Sequence, residues 1–169
     1  MFSNRGLLSV VLMGAAVPSF AFTIDIISVG GYSNPGLTYT TSENVIFQNT
    51  PGVLSTLAVS GTINSPGPTQ FLNATATYVG SGGSLVVNYS TSPVQFSGGS
   101  ASYDGTWTYV SGTGAYAGLS GTGAINFLVS SSGFANHSLS GSLEAVPEPA
   151  SIAALGLGAV ALLRRRKRS

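Results

Sequence analysis

The stretch Ser102–Val110 reads Ser-Tyr-Asp-Gly-Thr-Trp-Thr-Tyr-Val, and its period is two. Tyr103, Gly105, Trp107 and Tyr109 fall on one face, and Asp104, Thr106 and Thr108 on the other, the pattern of a strand with one buried and one wetted side. Alternation or a short apolar run recurs over Thr23–Val29, Phe71–Val79, Leu85–Tyr89, Ala124–Val129 and Phe134–Leu143. In Phe71–Val79, Thr75 and Thr77 oppose Ala74, Ala76 and Tyr78. Turn formers punctuate the chain at Asn34-Pro35-Gly36, Thr50-Pro51-Gly52, Ser65-Pro66-Gly67-Pro68, Gly80 to Gly83, Gly98-Gly99 and Ser130 to Gly133. Glycine is abundant at 23 residues, whereas the good helix formers Glu, Lys, Arg and Gln are nearly missing from the middle of the chain. Strands recurring about every 8 to 15 residues predict an all-β domain, either an antiparallel barrel or a two-sheet sandwich.

Charge narrows the possibilities further. Between Gly6 and Leu163 there is no Lys and no Arg. The acids Asp25, Glu43, Asp104, Glu144 and Glu148 make this region weakly acidic, and the formal charge of +1 comes from Arg5 and the C-terminal cations. Nucleic-acid binding requires cations that neutralise phosphates, so it is excluded for the central region. Exposed strand edges are usually guarded by charge. With almost none available, closure into a barrel is the favoured way to remove the edges. Cysteine is absent, which excludes thiol nucleophiles, Cys-based zinc sites, redox motifs and disulfide stabilisation.

The two ends have a different grammar. Arg5 is followed by the apolar run Leu7–Val17, the breaker Pro18 and the small-residue pattern Ser19-Phe20-Ala21. Residues 1–21 therefore read as a helical signal peptide, delivered to the export machinery and cut by signal peptidase between Ala21 and Phe22. At the other end, Pro147 and Pro149 cannot donate backbone hydrogen bonds and restrict their neighbours, favouring an extended, accessible segment. The uncharged run Ala150–Leu163 spans roughly 21 Å as a helix, short of a bilayer core of about 30 Å. It crosses if flanking residues are recruited or the bilayer thins. Arg164, Arg165, Arg166, Lys167 and Arg168 then fix its orientation with the cations on the cytoplasmic side.

The order of Pro147-Glu148-Pro149, apolar run and basic end resembles the PEP-CTERM sorting signal of exported bacterial proteins. The resemblance implies processing by an exosortase, a membrane cysteine transpeptidase found with exopolysaccharide genes in Gram-negative bacteria. Pro147, Glu148 and Pro149 would be its substrate motif. The expected organisation is a signal peptide over 1–21, a secreted β domain over 22–144, and a sorting signal with a short transmembrane helix over 145–169. The expected route is a transient inner-membrane anchor, then the cell surface, outer envelope or extracellular space. Exopolysaccharide of a biofilm matrix is a further expected partner.

Within the β region, Ser111-Gly112-Thr113-Gly114-Ala115 recurs as Ser120-Gly121-Thr122-Gly123-Ala124. With Gly105–Tyr109 upstream, the stretch from Gly105 to about Leu139 resembles allene-oxide-cyclase-like and dirigent-like β-barrels. That resemblance implies an antiparallel barrel with an apolar interior and carries over no catalytic residue. The glycines themselves permit positive φ and close backbone approach. Gly112-x-Gly114-x-x-Ala117 matches a dinucleotide fingerprint only formally, because no βαβ pattern surrounds it. Calcium-binding repeats place Asp where Ala115 and Ala124 stand.

Catalytic chemistry has few candidates. His137 is the single histidine and is expected on an exposed strand or turn. No Gly-x-Ser-x-Gly lies in a strand-to-helix context. The acids are far apart in sequence, although folding can unite two of them. Tyr78, Tyr89, Tyr103, Trp107, Tyr109 and Tyr116 are expected to pack inside rather than form a sugar platform. No catalytic residue, cofactor or metal is assigned. The leading expectation is a non-enzymatic surface or matrix protein. A small-ligand-binding barrel would need a substantial apolar cavity. A secreted cyclase or hydrolase would need a polar cluster there, built from His137, Asp104 or Glu144.

Overall fold

In the computed structural model, residues 20–33, 37–64, 70–146 and Gly156 are described. They form strands β1 (Ala21–Ser33), β2 (Thr38–Asn49), β3 (Thr56–Ile63), β4 (Leu72–Gly80), β5 (Gly83–Thr91), β6 (Gln95–Ser97), β7 (Ser100–Gly112), β8 (Leu119–Ser130) and β9 (Phe134–Ala145), with a short 3₁₀ turn at Gly114–Tyr116. Strands β1 to β5 pair antiparallel in chain order, β5 pairs with β7, and β9 returns to pair with β1. The result is an eight-stranded closed antiparallel barrel, which decides between the two expected architectures. β6 covers the part of β7 that β5 does not reach, setting Phe96 opposite Ala101.

The signal helix and the C-terminal membrane helix expected from the sequence lie outside the described residues, as do Pro147, Glu148, Pro149 and the cations Arg164 to Arg168. Ala21 and Phe22 are described. Both are exposed at the start of β1, opposite Glu144 and Leu143 of β9.

The alternating runs fall on β1, β4, β5, β7, β8 and β9, and β2 and β3 are additional. β2 lacks an apolar alternation because its buried positions include Thr41 and Glu43, and Gly61 interrupts the inward row of β3. Inside the barrel, Ile24, Leu57, Tyr78, Leu85, Trp107, Ile125, Phe127 and Leu139 cover one another. Tyr78, Tyr89, Tyr103, Trp107 and Tyr116 are buried as expected, while Tyr109 is half-buried. The outer wall carries Thr75, Asn88, Thr106, Thr108 and Asn126. An apolar interior behind a polar wall is the inverse of a transmembrane barrel, whose lipid-facing band is apolar.

The two copies of the glycine repeat do different jobs. The first closes the barrel end. Gly114 adopts φ +59°, and a Cβ there would collide with the backbone of Gly82. Thr113 N–H donates to Ser84 O at 2.9 Å, and Ser84 N–H donates to Thr113 Oγ1 at 3.0 Å. This docking drives Tyr116 beneath the barrel floor, where its hydroxyl donates to Gly52 O. The second copy makes room. Gly123 of β8 faces Gly141 of β9, and the Trp107 indole lies over the pair. A Cβ on Gly123 would stand 2.6 Å from Trp107 Nε1, and one on Gly141 2.7 Å from Cζ2. The indole N–H donates to Ser140 O at 2.8 Å.

Gly123→Ala should therefore destabilise the barrel by about 3 kcal/mol, the upper end of overpacking costs, because backbone as well as the indole must shift. Gly118 has φ +67° and open space around it, so Gly118→Ala should cost about 1 kcal/mol. Urea unfolding followed by the fluorescence of Trp107 checks both values, and equal losses would contradict the slot.

Candidate functional site

The barrel interior holds one polar cluster. Tyr39, Thr41 and Glu43 alternate along β2 and face inward, Ser28 comes from β1, Tyr89 from β5 and His137 from β9. Glu43 is 3% exposed and His137 1%. Gly30 stands opposite Glu43 in the β1–β2 ladder. A Cβ on Gly30 would lie 2.8 Å from Glu43 Cγ, so the glycine admits the carboxylate.

His137 Nδ1 lies 2.6 Å from Glu43 Oε1. The carboxylate oxygen sits off the direction of the ring N–H, and neither atom completes an aligned hydrogen bond. Ser28 Oγ donates to Glu43 Oε2 at 2.9 Å, and the Tyr89 hydroxyl stands 3.4 Å from His137 Nε2. Phe127 stacks on the imidazole with centroids 4.8 Å apart and planes 14° from parallel. Its other contact of this kind is Tyr103, at 4.5 Å and 5°. These rings hold the imidazole plane in place.

Burial pushes the Glu43 carboxyl up, but the proximity and charge of His137, with the hydroxyls of Thr41 and Ser28, outweigh it and leave the group below its ordinary value. Burial raises the Tyr39 and Tyr78 phenols, and the Glu43 charge raises them further. Both therefore remain neutral at ordinary pH. The Tyr39 hydroxyl is buried without a hydrogen-bond partner among the described residues, and Thr41 Oγ1 faces the carboxylate without completing an aligned bond.

The expected exposed position of His137 is corrected by this arrangement. His137 occupies an inward position of β9 between Ala135 and Leu139, and its partner arrives from β2, remote in the sequence. Glu43, which makes the cluster, alternates with Tyr39 and Thr41, and that Tyr-x-Thr-x-Glu pattern is the only local signal. The other expected contributors stay outside. Asp104 is exposed and accepts from Asn126 Nδ2 at 2.7 Å, Glu144 is exposed, and Asp25 is half-buried. Glu43 is thus the one acid of the four that faces the interior.

Chemically, the cluster is a sealed carboxylate–imidazole pair. A serine hydrolase needs its serine bonded to the imidazole. Here Ser28 donates to the carboxylate. The tightly covered side chains of the interior leave the pair no route to solvent among the described residues. Recesses among the described residues lie on the surface instead. A wall groove of about 610 Å³ is lined by Ser60, Thr62, Asn73, Thr75, Asn88, Ser90, Thr106 and Thr108. A recess of about 420 Å³ at the barrel mouth includes Tyr32, Phe96, Ala101 and Val129.

Comparison with known families adds one match. The PEP-CTERM protein-sorting motif matches residues 145–168. No curated protein and no solved structure matches the chain. The motif supports an exported chain sorted by an exosortase. The matched segment begins at Ala145, the last residue of β9.

Removing one member of the buried pair should strand the other. Glu43→Ala and His137→Ala should each cost about 3–5 kcal/mol, whereas Glu43→Leu combined with His137→Leu should cost much less than the two losses summed. Urea unfolding of the singles and the double completes this cycle, and additive losses would contradict the coupling. The pair also sets a pH dependence. A carboxyl lowered on folding stabilises fully above the ordinary carboxylate value of about 4.3, and the stability is lost as pH falls through the folded value. Thermal melts should show the wild type losing stability more steeply than Glu43→Gln below about pH 4.

Proposed function

We propose that this chain is an exosortase substrate whose barrel is a non-enzymatic structural or adhesive module of the cell surface or extracellular matrix. The observation that carries the reading is the sorting motif at residues 145–168, placed directly after the final barrel strand. In this reading the signal peptide is removed before Phe22. The tail then holds the exported barrel at the inner membrane, with Arg164 to Arg168 on the cytoplasmic side. The exosortase supplies the nucleophile, and Pro147, Glu148 and Pro149 are what it recognises.

The barrel's own features support a passive role. The interior is occupied by side chains, which argues against a small-ligand carrier. The Glu43–His137 pair is sealed, and Ser28 is bonded to the carboxylate rather than the imidazole. The wall groove offers hydroxyls and carboxamides without charge, a lining suited to hydrogen-bonding a neutral stretch of exopolysaccharide.

Replacing Pro147-Glu148-Pro149 by three alanines tests the assignment. Export should proceed and signal-peptide removal should be normal, while the full-length tail persists in the membrane fraction of the native host. Release of the variant at the wild-type rate would overturn the reading.

A further inference from the structure

Both ends of the barrel chain leave from the same end of the barrel. Ala21 opens β1 opposite Glu144, Ala145 N–H donates to Phe20 O at 3.1 Å, and Val146 N–H donates to Gly118 O at 3.0 Å. Neighbouring strands are about 4.8 Å apart, so the N-terminal and C-terminal segments start side by side. This end also carries an apolar rim. Phe22 is 39% exposed, Phe47 51%, Val53 55%, Val79 48%, Val110 49% and Val146 50%, all at or beside the strand ends that meet there. The wall beyond them is mostly Thr, Ser and Asn, and the far mouth exposes Leu37, Phe96, Leu128 and Phe134. Exposed apolar side chains mark interaction surfaces, and of the two ends only this one lies beside the point where the tail leaves.

We propose that this rim is a membrane seat: before the tail is cut, the barrel rests with this end on the lipid–water interface and its opposite mouth outward. The proposal rests on the tail spanning the membrane. The length of chain below the barrel argues for lipid as the occupant. The apolar run begins at Ile152, and the residues between Val146 and Ile152 reach at most about 20 Å however they are arranged. A tail inserted in the bilayer therefore holds the rim close to the surface and raises its effective concentration there. Apolar side chains at a headgroup–acyl boundary are favourable in proportion to the area they bury. The absence of Lys and Arg between Gly6 and Leu163 removes any electrostatic draw to anionic lipid, so the seat depends on apolar contact alone.

Two consequences follow from the seat. Pro149 lies within about 10 Å of Val146, so the sorting motif is presented at the interface, where a membrane enzyme meets it. Cutting the tail removes the tether, and a rim that binds weakly alone then lets the barrel go.

The chain has no cysteine, which allows single labels on the full-length protein. Phe47→Cys and Val79→Cys report the rim, Ser60→Cys the wall, Phe134→Cys the far end and Ala154→Cys the tail. Each is given an environment-sensitive dye and reconstituted in phosphatidylcholine vesicles containing doxyl-lipid quenchers, with or without phosphatidylglycerol. Far-ultraviolet circular dichroism confirms that each variant retains the β fold. The rim labels should shift to the blue and be quenched together with Ala154, equally in both lipids, while Ser60 and Phe134 report water. Quenching at Ala154 with rim labels as wet as Ser60 would overturn the seat and leave the membrane tail standing. No quenching at Ala154 would overturn the tail reading and the seat with it. Rim shielding that grows with protein concentration in the absence of lipid would assign the rim to a second copy and overturn the seat.

Discussion

The β1–β9 ladder is the contact on which the rest of the structure depends. It runs from Ala21 opposite Glu144 to Gly31 opposite Phe134, and it joins the first strand to the last. Without it the sheet would end in two long edges, and this chain has almost no charge with which to guard them. Closure removes those edges and creates an interior. It also fixes where the chain ends emerge, because β1 begins where β9 finishes. Phe20, the first described residue, and Ala145, the last residue of β9, therefore sit side by side at one end of the barrel.

Closure does not make the interior uniformly apolar. The Glu43–His137 pair is held there with a hydroxyl from Ser28 and stacked rings from Phe127 and Tyr103. Taking both groups out of water costs more than a hydrophobic replacement would, and their mutual attraction offsets that cost only while both are present. The pair links β2 to β9, strands that flank β1 on either side. A misregistered β1 would separate the two buried polar groups, so the pair opposes that error. The Trp107 slot acts in a similar way through shape: only Gly123 opposite Gly141 admits the indole.

Much of the architecture was legible in the sequence, and the limits have physical causes. The period-two pattern in β7 is complete because Tyr103 and Trp107 face in while Asp104, Thr106 and Thr108 face out. Turn residues marked the tight connections at Gly80 to Gly83, Gly98-Gly99 and Ser130 to Gly133. β2 escaped the pattern because its buried face is Tyr39, Thr41 and Glu43, which pairs a polar row with a polar exterior. The position of His137 was misread for the same reason: its burial is offset by a carboxylate from β2, two strands away, and pairing between strands remote in sequence leaves no local trace. The glycine repeat was visible as punctuation. Its division into a docking loop and an indole slot depends on Gly82 and Gly141, which no local reading connects to it. The sorting segment was legible because it is a linear address, recognised as sequence rather than as a fold.

The central proposal is that a closed barrel is exported and then released through segments at its two chain ends. Its most direct test is the intact mass of the protein recovered from the envelope and medium of the native host. The account predicts a species that begins at Phe22 and ends between Pro147 and Ser151. A released species that still carries Arg164 to Ser169 would contradict it.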